Sequence, residues 1–320
     1  MKKLLSAVIA IVALPAAAQT PPAGAPASPA ETADAFNKVP DTRGTGAYPA
    51  MKLEDPAFLG HTVYRPANLK ALGKRKLPVL LWGNGGCSND GASARLFLSE
   101  IASHGYIVVA AGTIRSGPGT VYRPEPPVAP PPGKVIPPVK TLARDVTAGL
   151  DMAIKANADK RSALYGRIDT QRVAVSGHSC GGLQALQVGG DPRVRTVIVH
   201  NSGIFANGAQ PIAGMEVDKS LLKALHGPVL YVMGGPQDVA YPNGTDDFAR
   251  LDTVPAVLVD LPVGHGGTFM QPNGGRGARI TVAWLDWQLK GDQRAAAMFT
   301  GPACDLCREG DVKIERKRLG

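Results

Sequence analysis

The sequence predicts an α/β fold, a single domain whose mostly parallel central sheet is covered by helices on both faces. Three observations carry this expectation. Short, largely apolar runs at 77–82, 106–111, 172–176, 196–199, 229–233 and 256–261 lack the polar alternation of a half-exposed sheet, so each should be buried on both sides. Stretches with apolar residues at helical spacing separate several of them. The run 172–176 leads straight into Gly177-His178-Ser179-Cys180-Gly181-Gly182 and then a helical stretch, a strand–turn–helix unit.

Taken in order, Lys2 and Lys3, an apolar run over 4–14, Pro15 and three alanines before Gln19 have the pattern of a cleaved export leader over 1–18. Residues 19–50, rich in Ala, Pro, Thr and Gly, read as a flexible lead-in with little to bury. The expected catalytic domain spans 51–300. It opens with strand 77–82 and the Gly83-Asn84-Gly85-Gly86 turn. A helix over 93–104 follows, with Leu96, Phe97 and Ile101 on one face, and then strand 106–111. Segment 117–139 carries nine prolines and cannot be a regular element. A helix over 141–156 places Leu142, Val146, Leu150 and Ile154 every four residues. Beyond the Ser179 turn come a helix over 183–188, three more strands and a closing helix over 279–289. The remainder, 301–320, holds a Cys-x-x-Cys and a basic tail.

Composition narrows the function classes. The chain has 320 residues, 44% hydrophobic and 19% charged, in the globular range. After the leader no apolar run is long enough to span a bilayer, so stable membrane insertion is not expected. The formal charge of +9 sits partly in the tail 313–318, and basic residues are not interleaved with aromatics as a nucleic-acid groove requires. Four cysteines in an exported chain point to disulfides. No metal-ligand spacing and no nucleotide loop occurs, so neither a metal nor a cofactor is expected.

The chemistry resides in one constellation. Glycines at 177 and 181 permit a tight strand-to-helix turn that presents the Ser179 hydroxyl at the carboxyl end of the sheet. The amide of Cys180, at the start of the following helix, faces the place where an oxyanion would form. A serine needs a base, and His265 lies between glycines just past the strand at 256–261. The orienting acid should follow the strand at 229–233, where Asp238 sits; Asp246, Asp247 and Asp260 are weaker competitors. The order Ser, Asp, His is that of an α/β-hydrolase. His178 and His200 read as packing residues. The second oxyanion donor belongs to the Gly-rich turn after strand 77–82, at Gly85 or Gly86 in one register and Asn84 in another. Cys87 and Cys180 follow the two oxyanion segments, so a disulfide between them is expected to pin that site. Cys304 and Cys307 form a second, local pair.

Residues 102–106 (Ala-Ser-His-Gly-Tyr), the 177–182 motif and the ending 284–292 together resemble secreted α/β-hydrolases of the dienelactone hydrolase, cutinase and polyester hydrolase neighbourhood. The likeness spans about three quarters of the chain; Cys180 stands where that group often has Met, and the oxyanion loop is longer. The resemblance implies a serine esterase that cleaves small or polymeric carboxylic esters through a Ser179–His265–Asp238 triad; the leader implies a periplasmic or extracellular location, and a monomer is expected. Trp82, Tyr241 and Phe269 are the candidate lining of an acyl pocket. A peptidase, an acyltransferase and a non-catalytic binding protein are the rival readings.

Overall fold

In a computed structural model, which describes residues 29–319 apart from 122, 124, 125 and 127, one nine-stranded sheet organises the chain. The expected leader, 1–18, lies outside the described residues. In chain order the strands are β1 (Ala50–Leu53), β2 (His61–Pro66), β3 (Leu77–Gly83), β4 (Ile107–Ala111), β5 (Ile168–His178), β6 (Val194–His200), β7 (Val229–Met233), β8 (Ala256–Asp260) and β9 (Lys313–Lys317). Their spatial order is β1-β2-β4-β3-β5-β6-β7-β8-β9. The six strands from β4 to β8 pair in parallel, and β1, β2 and β9 add antiparallel edges.

The helices are α1 (Pro29–Lys38), α2 (Arg95–Ser103), α3 (Ala143–Ala158), α4 (Cys180–Val188), α5 (Tyr241–Arg250), α6 (Gly275–Lys290) and the short α7 (Gln293–Ala296). They cover both faces, as the apolar strands require. Val79, Leu81, Val175 and Val197 face one core, shared with Val146 and Leu150 of α3, Leu183 and Leu186 of α4, and Phe248 of α5. Their alternates Leu80, Trp82, Ala174 and Ile198 face the other, against Phe97 and Ile101 of α2 and Trp284 of α6. The α/β class with helices on both faces is therefore observed. Among the described residues, no helix is long and apolar enough to cross a membrane.

Two expectations about the ends are corrected. The described part of 19–50 is not a loose lead-in. It forms α1 and β1, and it is tied to α2 by polar side chains rather than by apolar burial. Arg95 is 1% exposed; its Nε donates to Asp41 (2.9 Å) and its Nη2 to the carbonyls of Phe36 (2.8 Å) and Val39 (2.7 Å), while the Phe36 ring stacks on it at 3.9 Å. Glu100, also buried, receives the amide of Thr45 (2.8 Å). Composition alone does not reveal such anchors, because they are made by residues fifty positions downstream. Nor is 313–317 an unstructured tail. It is β9, in register from Ala256 opposite Lys317 to Asp260 opposite Lys313, and its charged side chains make an edge that resists further strand pairing.

The described part of the proline-rich segment is irregular, as expected. It hydrogen-bonds across to the loop after β6: the amides of Val135 and Ile136 reach Pro211 O, and that of Val139 reaches Ala213 O.

Arg95→Leu removes three charge-assisted bonds that hold residues 36–41. The variant should lose about 2 kcal/mol in urea unfolding and become cleavable by protease within 29–45 while the rest of the chain stays resistant. An unchanged cleavage pattern would show that the segment is held otherwise.

Candidate active site

The site is built at the carboxyl ends of β3, β5, β6, β7 and β8. Where β5 turns into α4, Ser179 adopts φ 53°, ψ −122°, a left-handed conformation that L-residues with a side chain rarely hold. It persists because the surroundings leave no alternative. A Cβ on Gly177 would stand 2.1 Å from Gly181 O, and one on Gly181 would stand 2.1 Å from Gly83 O, so three backbone segments meet with no room for side chains. The Ser179 amide donates to His200 O (3.0 Å), and Ser202 Oγ donates to Ser179 O (2.6 Å), fixing the turn from the β6 side.

Three residues predicted to act together are brought together. Ser179 Oγ lies 2.9 Å from His265 Nε2, and His265 Nδ1 lies 2.6 Å from Asp238 Oδ1. With the Nδ1 proton given to the carboxylate, Nε2 is left as an acceptor for the serine hydroxyl. Asp238 is 2% exposed and receives further donors: Ala240 N on Oδ1 (2.9 Å), and Asn201 Nδ2 (2.9 Å) and Gly234 N (3.1 Å) on Oδ2. Burial opposes its ionisation, but the hydrogen bonds from His265, Ala240 and Asn201 outweigh burial and hold the carboxyl below its ordinary range. The competitors stand elsewhere. Asp246 and Asp247 bind Lys219, and Asp260 accepts from Tyr241.

Cys87 and Cys180 form a disulfide with Cα atoms 5.2 Å apart, joining the turn after β3 to the residue after Ser179. The turn closes on itself, Cys87 N reaching Asn84 O and Ser88 N reaching Gly85 O, so those two amides are committed. The side chain of Asn84 is also committed as a donor, its Nδ2 serving Ser88 O (3.0 Å) and Ala111 O (2.5 Å). Gly85 abuts the His178 ring, whose Nδ1 is 2.7 Å from where a Cβ would be.

Of the three candidate pocket residues, Trp82 and Phe269 are buried and Tyr241 is half-buried. Trp82 is fully buried and packs with Phe97, His200 and Phe269. Phe269, 7% exposed, underlies His178 with ring centroids 4.7 Å apart. The Tyr241 hydroxyl is turned toward Asp260 (3.1 Å). Trp82 and Phe269 belong to the core on one face of the sheet, and Tyr241 packs half-buried against the core on the other. A separate cleft of about 870 Å³ is lined among others by Phe36, Ser88, Asn89, Ser93, Ser116 and Lys140, and by none of Ser179, Asp238 and His265. It adjoins Cys87 through Ser88 and through Lys140, whose amide donates to Cys87 O (3.1 Å).

Sequence reasoning missed two residues. Asn201 sits just after β6 at φ 47° and donates from Nδ2 to both Asp238 Oδ2 and Gly264 O (2.9 Å each), linking the acid to the loop of His265. An asparagine directly after a strand, one of the few residues that tolerate left-handed backbone, was the available clue. His178, read as packing, also has a polar task. Its Nε2 donates to His265 O (2.8 Å), and burial lowers its pKa to about 4, so it is a neutral donor near neutral pH.

The loop that begins at Asn201 is clamped to α5. Lys219 Nζ binds Ile204 O (2.7 Å) and Asp247 Oδ1 (2.6 Å), while Asp247 Oδ2 receives Ile204 N (2.8 Å) and Tyr231 OH (3.1 Å).

No family model matches the chain, and no curated protein matches it.

Burial raises the Asp247 pKa to about 6 against the opposing pull of Lys219. A raised carboxyl pKa means that the folded state holds a proton that the unfolded state has released. Its stabilising contribution is therefore full below about pH 3.9 and is lost as pH rises through about 6. Relative to wild type, Asp247→Asn should gain stability between pH 4 and pH 7, read as the difference in urea midpoints; a pH-independent difference would contradict this. Cys87→Ser/Cys180→Ser should lose about 2–5 kcal/mol, measured the same way.

Proposed function

We propose that the protein is a serine hydrolase of the α/β-hydrolase superfamily that cleaves carboxylic esters through an acyl-enzyme. The reading rests above all on the continuous relay from Ser179 Oγ to His265 Nε2 (2.9 Å) and from His265 Nδ1 to Asp238 Oδ1 (2.6 Å), on a serine held at φ 53°. His265 takes the hydroxyl proton as Ser179 Oγ attacks the ester carbonyl, and Asp238 steadies the imidazolium that results. The tetrahedral oxyanion is received by the amide of Cys180 and by a second amide from Asn84, Gly85 or Gly86, two segments that the disulfide keeps in register. His265 then protonates the leaving alkoxide, and water repeats the cycle on the acyl-enzyme. Two cysteine pairs at disulfide distance fit an oxidising, exported setting.

The test is hydrolysis of a chain-length series of p-nitrophenyl esters, alongside fluorophosphonate labelling. Ser179→Ala should abolish labelling and lower kcat by about 10⁴-fold or more. Asn201→Ala should lower kcat by about tenfold at unchanged KM, because it perturbs the acid and the base rather than the substrate. A wild type that neither turns over esters nor takes the label would sink the reading.

A further inference from the structure

The second cysteine pair takes no part in the proposed reaction, and its surroundings differ from those of the first. Cys87 and Cys180 are 0% and 6% exposed and join the turn after β3 to the first residue of α4. Cys304 and Cys307 lie past α7 at the edge of the sheet, Cys304 buried and Cys307 partly exposed. The Cys307 amide is aimed at Cys304 Sγ (3.0 Å). Arg316, on β9, brings Nη2 to 3.5 Å from Cys307 Sγ. Its other nitrogen, Nη1, donates to Gly301 O (2.7 Å) and Phe299 O (3.3 Å), so the guanidinium is held in place independently of the sulfur.

The remaining charges nearby are already engaged. Asp305, between the two cysteines, binds Arg308 (2.5 Å), and Glu309 binds Arg276 (3.6 Å) and Arg279. A disulfide sulfur is a weak acceptor and a thiolate a strong one. An amide at one sulfur and a fixed cation at the other therefore favour the reduced products over the disulfide itself.

From this geometry we infer that Cys304–Cys307 is a dithiol–disulfide exchange site for small thiols, with Cys307 the sulfur attacked and Cys304 the leaving group. A thiolate RS⁻ bonds to Cys307 Sγ as the Cys307–Cys304 bond breaks, and the electron pair passes to Cys304 Sγ, to which the Cys307 amide donates a hydrogen bond. A second RS⁻ attacks the R sulfur of the mixed disulfide, releasing RSSR and returning an electron pair to Cys307 beside Arg316. Two thiols are oxidised and one disulfide is reduced; the protons that the thiols gave up go to buffer or to Cys304. The buried Cys87–Cys180 pair stays closed, so this exchange is separate from the ester chemistry and does not depend on it.

The experiment exposes the oxidised protein to reduced glutathione at neutral pH, quenches with iodoacetamide and maps the labelled peptides over time. Label should enter Cys304 and Cys307 at least about tenfold faster than Cys87 and Cys180. In the reduced protein the pH midpoint for Cys307 alkylation should lie below the ordinary thiol value of about 8.5, rise by about one unit in Arg316→Gln and stay low in Arg316→Lys. Equal labelling of the two pairs would overturn the inference, as would a wild-type Cys307 midpoint at the ordinary thiol value. Both of those readings come from the wild type, so they stand even if an Arg316 variant fails to fold.

Discussion

The left-handed backbone at Ser179 is the constraint around which the site is arranged. Such a conformation costs of order 1–3 kcal/mol and persists only where neighbours over-determine it. Here Gly83, Gly177 and Gly181 bring β3, β5 and α4 into backbone contact, and Ser202 and His200 hold the turn from β6. The Cys87–Cys180 disulfide then fixes how the β3 turn sits against the first residue of α4. None of these contacts involves the serine hydroxyl. The strain is carried by glycines, a disulfide and backbone bonds, so the hydroxyl is left to engage His265 alone.

What could be read in the sequence and what could not divides along physical lines. The six parallel strands were legible because burial on both faces leaves an apolar run with no polar interruption, as in Leu80, Leu81 and Trp82. The antiparallel edges were not. β9 reads Lys-Ile-Glu-Arg-Lys because an edge strand faces water, and β2 hides Thr62 and His61 in the interior by giving their polar atoms to Gly112 O and Asp145 O. Ser179, His265 and Asp238 were legible because chain order and local glycines carry them. Asn201 and His178 were not, since each matters through a partner far along the chain: 37 and 63 residues away for Asn201, 87 for His178. Only folding makes those pairs adjacent.

The same contrast explains the failed reading of the ends. A composition rule asks whether a segment carries enough apolar surface to bury itself, and residues 29–50 carry little. Yet Arg95 and Glu100 are buried in α2 with their charged ends toward that segment, and they need it to satisfy them. The dependence therefore runs from the core outward.

The loop of His265 shows how an imidazole can be placed firmly without being packed. Its imidazole is partly exposed, so side-chain burial alone does not hold it. The backbone does so instead. Gly264 N donates to Gly234 O (2.8 Å), Gly264 O receives Asn201, and His265 O receives His178. Two of these anchors also touch the partners of the base, since Asn201 binds Asp238 and His178 immediately precedes Ser179. A displacement of the loop would disturb acid, base and hydroxyl together. The distances of 2.6 and 2.9 Å thus have a common origin in one set of hydrogen bonds to the loop backbone, two of them from the side chains of Asn201 and His178.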